Sequence, residues 1–151
     1  MLVLAACSDA EAPEEKSEPA SAQATGPDAQ QGISASDARL ILPVVAGNPG
    51  AAYFRVTNGT TEAESLVSVY LEGASSAQLH ETSEAGMGEV EAVEIPAGGS
   101  VEFAPGGKHV MAFDLGDELS AGGTSELTLI FADGDKVSLP ISIEARGGAA
   151  N

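Results

Sequence analysis

Turn chemistry cuts this chain into short pieces, and that punctuation limits its fold more than any other feature. Asn48-Pro49-Gly50, Asn58-Gly59, Pro96-Ala97-Gly98-Gly99, Pro105-Gly106-Gly107, Gly122-Gly123 and Asp133-Gly134 are each built from residues that supply positive φ, a fixed φ or a local side-chain hydrogen bond. Between them lie short alternating or β-rich runs at 39–45, 52–58, 65–71, 77–81, 89–93, 100–103, 108–115, 124–131 and 136–143. Asp133-Gly134, between two alternating runs, is the cleanest hairpin signal. No stretch sustains a helical period with caps at both ends. Many short strands at regular spacing predict an all-β, antiparallel Greek-key sandwich or barrel, without internal repeats.

The pattern begins only at Ile33. Residues 8–32 hold Pro13, Pro19 and Pro27, almost no large apolar side chains, and six carboxylates against one lysine. Such a segment cannot bury enough surface to offset its ordering entropy, so a disordered acidic linker is expected there. Ahead of it stands Leu4-Ala5-Ala6-Cys7, which resembles a bacterial lipobox at the end of a truncated lipoprotein signal, residues 1–7, with Cys7 as the lipidation site. A lipid-anchored domain needs a tether of this kind to stand off its membrane. The expected organisation is therefore signal 1–7, linker 8–32, sandwich 33–146 and a frayed tail at 147–151.

The chain has 151 residues, 23 acidic and 6 basic, for a net charge of −17. That balance repels phosphate, so nucleic acid and anionic lipid surfaces are poor partners, and any membrane contact is expected through the anchor alone. A hydrophobic fraction of 43% without tryptophan suits one small aliphatic core rather than a large cavity. With one cysteine there is no internal disulfide to form.

Against this sparse background one cluster stands out. Both histidines, His80 and His109, and both methionines beyond Met1, Met87 and Met111, fall within residues 80–111. Alone, most have ordinary explanations. Met111 shares a strand face with Phe113 and Leu115, His80 would be an exposed polar strand residue, and His109 follows a turn where it could simply be solvated. Met87, between Gly86 and Gly88, is expected in a mobile loop with little core to join. Together the four form a thioether and imidazole set, which suits the soft ion Cu(I) and not oxygen-seeking cations such as Mg²⁺ or Ca²⁺.

These residues also carry a family resemblance. Residues 51–115 resemble the periplasmic copper-chaperone family PCuAC in the segment Ala51-Ala52-Tyr53-Phe54-Arg55-Val56-Thr57-Asn58, the strand end Leu79-His80-Glu81, the turn Ile95-Pro96-Ala97-Gly98-Gly99, and Pro105-Gly106-Gly107 leading into His109-Val110-Met111. The family pattern places a His, a Met about ten residues on, and then a His-x-Met after twenty-one more. Met87 and His109 have that second spacing, whereas only six residues separate His80 from Met87. The resemblance implies a cupredoxin-like β-sandwich with Cu(I) held by His80, Met87, His109 and Met111. It further implies a monomeric, periplasmic metallochaperone that hands copper to an acceptor such as a cytochrome oxidase subunit, alongside a Sco-type chaperone. The tail, lacking His and Met, promises no second copper.

Other readings fit less well. A blue-copper carrier needs a cysteine thiolate in its site, and Cys7 lies beyond the linker. A hydrolase needs a nucleophile, base and orienting group, and no nucleophile motif is present, so no enzyme is expected. Zinc on His80, His109 and Glu81 or Glu84 leaves the methionines without a role. The acidic turns 114–118 and 133–135 lack the spacing of a calcium loop. The serious alternative is a lipid-anchored sandwich that binds or scaffolds without metal.

Overall fold

The structure, a computed structural model, describes residues 32–146. Cys7 with its signal, the linker through residue 31, and the tail 147–151 lie outside the described residues. Within them every regular element is a strand: β1 (Ile33–Leu42), β2 (Gly50–Asn58), β3 (Glu64–Leu71), β4 (Ala74–Ser83), β5 (Gly86–Glu89), β6 (Val93–Ile95), β7 (Ser100–Phe103), β8 (Lys108–Leu115), β9 (Thr124–Phe131) and β10 (Lys136–Ala145). The all-β expectation holds.

The strands pair in the order β5-β4-β8-β2-β1-β10-β9-β3-β6, with β7 joined to the far half of β2. β1 sits at the middle of this path. Its N-terminal half pairs antiparallel with β2 (Ile33↔Asn58), and its C-terminal half also runs parallel to β10 from Arg39↔Ser142 to Leu42↔Ala145. That is the single parallel pairing among the described residues, and the rest of the ladder is antiparallel. A register shift between Ser36 and Arg39, with Asp37 at φ 56°, bends β1 between its two roles.

Alternation explains the layering. Along β2 the even positions from Gly50 to Asn58 are buried, and along β10 the odd positions from Val137 to Ile143 are. Their inward side chains meet in one cluster that joins Phe54, Val56, Leu79, Phe103 and Val110 to Leu66, Leu127, Leu129 and Ile141. The Phe54 and Phe103 rings stack at 4.2 Å across the β2–β7 pair. Asn58 is fully buried at the end of β2. Its Nδ2 donates to the carbonyls of Glu62 (2.7 Å) and Ile95 (3.1 Å), and its Oδ1 accepts from the Thr60 amide (2.9 Å) and hydroxyl (2.6 Å). A polar side chain is tolerated there because its hydrogen-bonding capacity is used.

Two expectations need correction. The run 39–45 is not a strand throughout, since β1 begins earlier and stops at Leu42, where Pro43 brings no amide to a ladder. Val44 and Val45 stand exposed in the loop beyond. The run 89–93 is split between the end of β5 and the start of β6, and Met87 lies in β5 rather than in a loop.

Candidate metal centre

Two turns set the geometry of this region. Pro105-Gly106-Gly107 forms a tight loop between β7 and β8, which run in the same direction along β2, with Gly106 at φ 84°, a backbone region that side chains with a Cβ rarely occupy. The turn is closed by the Gly107 amide on the Ala104 carbonyl and the Ala104 amide on the Lys108 carbonyl. A hairpin folds β5 back on β4 around Glu84-Ala85, pairing Ser83 with Gly86 and Thr82 with Met87.

β4 and β8 then run side by side in a register that places His80 directly opposite His109 and Gln78 opposite Met111. Residues facing each other in a pair point to the same side of the sheet. The intervening pair, Leu79 and Val110, points the other way and is buried in the core. By the same alternation, Met87 opposite Thr82 and Glu89 opposite His80 stand on the side of the histidines. All four donor residues singled out by the sequence therefore occupy one outward face, drawn from three adjacent strands.

The rings of His80 and His109 lie 5.9 Å apart between centroids and are tilted by 40°. His109 is 6% exposed, an uncommonly buried histidine for an outward face. Its Nδ1 donates to the Gly107 carbonyl at 3.0 Å. That carbonyl also accepts the Thr82 amide at 3.1 Å, so one oxygen ties the end of β4 to the orientation of the ring. In the neutral imidazole, a proton on Nδ1 leaves Nε2 with a bare lone pair. Nε2 lies 3.2 Å from Met87 Sδ, itself a Lewis base. Two electron-pair donors thus face each other with no proton between them, an arrangement that a cation would satisfy.

Met87 is 58% exposed, so one side of this contact is open to solvent. Met111 is half-buried, beside His109 along β8. His80 Nδ1 is buried and meets no hydrogen-bonding partner. Burial, and secondarily the neighbouring His109, lowers the pKa of His80 below its ordinary 6.5, while Glu89 opposes the shift. The donor set is made of imidazoles and thioethers, soft and partly desolvated, which fits a monovalent soft cation. Among the described residues no group of three or more His, Cys, Asp and Glu side chains is assembled, so no hard-cation cage competes with it.

The LpqE-like family model, described as one of lipoproteins, matches residues 33–143, nearly the whole described fold. The chain belongs to the LpqE-like family. Lxx21020 of Leifsonia xyli subsp. xyli (strain CTCB07), also named a lipoprotein, is 35% identical over 136 residues, covering 87% of this chain and 80% of its own. Among solved structures, the copper-bound PCuAC domain from PmoF2 matches with a TM-score of 0.66 at 25% identity, over 76% of this chain and 93% of that one. The Cu(I) form of DR1885 from Deinococcus radiodurans matches with a TM-score of 0.63 at 28% identity, over 80% and 83%. The PCuAC resemblance read from the sequence is thus upheld, and with it the cupredoxin-like fold of this LpqE-like chain.

Some parts of this LpqE-like site carry no sequence signal. Gln78 Oε1 lies 3.3 Å from His80 Nε2, and the Gly107 carbonyl orients His109. Glu81 and Lys108, the next cross-strand pair, form an ion pair at 2.7 Å beside the histidines. A backbone carbonyl leaves no trace in a sequence, and a glutamine two residues before a histidine becomes visible only through strand alternation.

Proposed function

We propose that this domain binds one Cu(I) through His80, Met87, His109 and Met111 and passes it to an acceptor protein. The observation that carries this reading is the 3.2 Å approach of His109 Nε2 to Met87 Sδ, with the Nδ1 proton committed to the Gly107 carbonyl. Imidazole and thioether donors match the preference of a soft d¹⁰ ion. Thioethers are neutral and cannot be lost to disulfides, so such a site keeps Cu(I) in an oxidising compartment where paired thiolates would be at risk. The solved relatives bound to copper support the same choice of metal.

A carrier must also release its cargo. Met87 is the exposed donor, on a short edge strand, so an incoming ligand from the acceptor reaches it first while buried His109 retains its hold. The finer reading is a periplasmic metallochaperone, anchored to a bacterial membrane through Cys7 and delivering copper to cytochrome oxidase centres. The lipoprotein names of the family and of Lxx21020 support the anchor.

The test is a Cu(I) titration of the protein under reducing conditions against a chromophoric Cu(I) chelator. One tight equivalent, weakened in Met111→Leu, is the expected result. Failure to compete with the chelator would leave a sandwich protein without metal, and the search would turn to protein partners.

A further inference from the structure

Resting on the copper reading above, we propose that Gln78 is a positioning residue that fixes the tautomer of His80, so that the two histidines offer different nitrogens to the metal: Nδ1 from His80 and Nε2 from His109.

A neutral imidazole carries its proton on one nitrogen, and that proton settles where an acceptor waits. For His80 the acceptor is Gln78 Oε1, 3.3 Å from Nε2. The other nitrogen, Nδ1, is buried and has no partner. A proton on Nδ1 would be a buried donor without an acceptor, the more costly of the two arrangements, whereas a bare Nδ1 keeps its lone pair free for a metal. Rotating the Gln78 amide to offer its NH₂ to Nε2 would force the proton onto Nδ1 and incur that cost.

His109 has the opposite arrangement. Its Nδ1 donates to the Gly107 carbonyl and its Nε2 faces Met87 Sδ. Since His80 and His109 are opposed across an antiparallel pair, as are Gln78 and Met111, Gln78 occupies the place on β4 that Met111 holds on β8. One position two residues before or after each histidine thus supports it: Gln78 orients His80, and Met111 is the soft donor beside His109. Gln78 touches no metal and acts only through the ring of its neighbour.

The experiment is long-range ¹H–¹⁵N correlation of the histidine rings in the full-length apo protein at about pH 8, then after one equivalent of Cu(I). Expected are an Nε2–H tautomer for His80, an Nδ1–H tautomer for His109, and copper-induced shifts at His80 Nδ1 and His109 Nε2. Gln78→Leu should shift His80 toward a tautomer mixture and weaken Cu(I) binding about tenfold, the usual loss on removing a group that orients a ligand. Gln78→Glu, which keeps an acceptor oxygen, should restore both. An Nδ1–H tautomer for His80 in the wild type, a copper shift at its Nε2, or an unchanged tautomer in Gln78→Leu would each overturn the proposal while leaving copper binding intact. Apo tautomers as assigned with no copper shift on either ring would overturn the copper reading and the metal-facing part of this one.

Discussion

At the scale of single residues, the four donors differ in burial, and that difference predicts different losses. Met111 is held within a strand, so Met111→Leu keeps the apolar packing and removes only the sulfur. We expect Cu(I) affinity to fall about tenfold or more, roughly 1.4 kcal/mol, with an unchanged urea midpoint. Equal affinity would remove Met111 from the site. Met87→Leu should instead raise the rate of copper loss to a competing chelator more than that of Met111→Leu, because Met87 forms the open side. Protons compete with copper for imidazole lone pairs. With the pKa of His80 lowered by burial and by His109, its affinity should hold from about pH 8 to about pH 6.5 and weaken toward pH 5. A flat profile over that range would argue against histidine ligation. The same shift acts on folding. A lowered folded-state pKa means the unfolded chain binds more protons, so the contribution of His80 to apo stability is present above about pH 6.5 and lost as the pH falls below it. Urea midpoints of wild type and His80→Gln at pH 8 and pH 5.5 isolate that term, and wild type should lose more on acidification.

At the scale of elements, turns place the donors, and turn mutations should disturb the site from a distance. Gly106→Val puts a β-branched residue at a φ of 84°, at a cost of about 1–2 kcal/mol. It should lower the urea midpoint and, by shifting the Gly107 carbonyl, weaken Cu(I) binding in the same variant. An unchanged affinity would show that Gly107 does not orient His109. Removing the Asn58 side chain as Asn58→Ala takes a fully buried amide from the Ile95 and Glu62 carbonyls and from the Thr60 amide and hydroxyl, and leaves the Ile95 carbonyl without that bond in the interior. A loss of about 1–3 kcal/mol is expected in equilibrium unfolding. Element scale is also where the sequence was least legible. β8 and β9 match the predicted runs at both ends, because a half-buried strand writes its alternation and its flanking turns into the sequence. β5 does not. All four residues of Gly86–Glu89 are exposed, so no apolar alternation marks them, and they are a strand only because β4 offers a free edge. The polar start of β1, Ile33 to Asp37, was missed for a related reason, since the bulge near Asp37 interrupts its period. The four donors were legible as a cluster, but their common face depends on the His80↔His109 register, which pairing alone reveals.

At the scale of the molecule, a modest core holds the sheet against a net charge of −17. Phe54 and Phe103 are its largest stacked pair, and Phe54→Ala should cost about 3–5 kcal/mol, enough to bring a domain of this size near its unfolding threshold. Thermal unfolding checks this, and a loss below 1 kcal/mol would mean that the stack contributes little to the core. The parallel contact of β1 with β10 has a consequence in time. Arg39 and Ser142, about a hundred residues apart, must meet before the middle of the strand order is joined. Contacts this distant make folding slow, on the order of milliseconds to seconds. Until β10 has left the ribosome, β1 presents an unpaired edge and Ile141 and Ile143 are missing from the interior. A nascent chain stalled before Lys136 is thus a strand edge in search of a partner, and neighbouring copies can supply one.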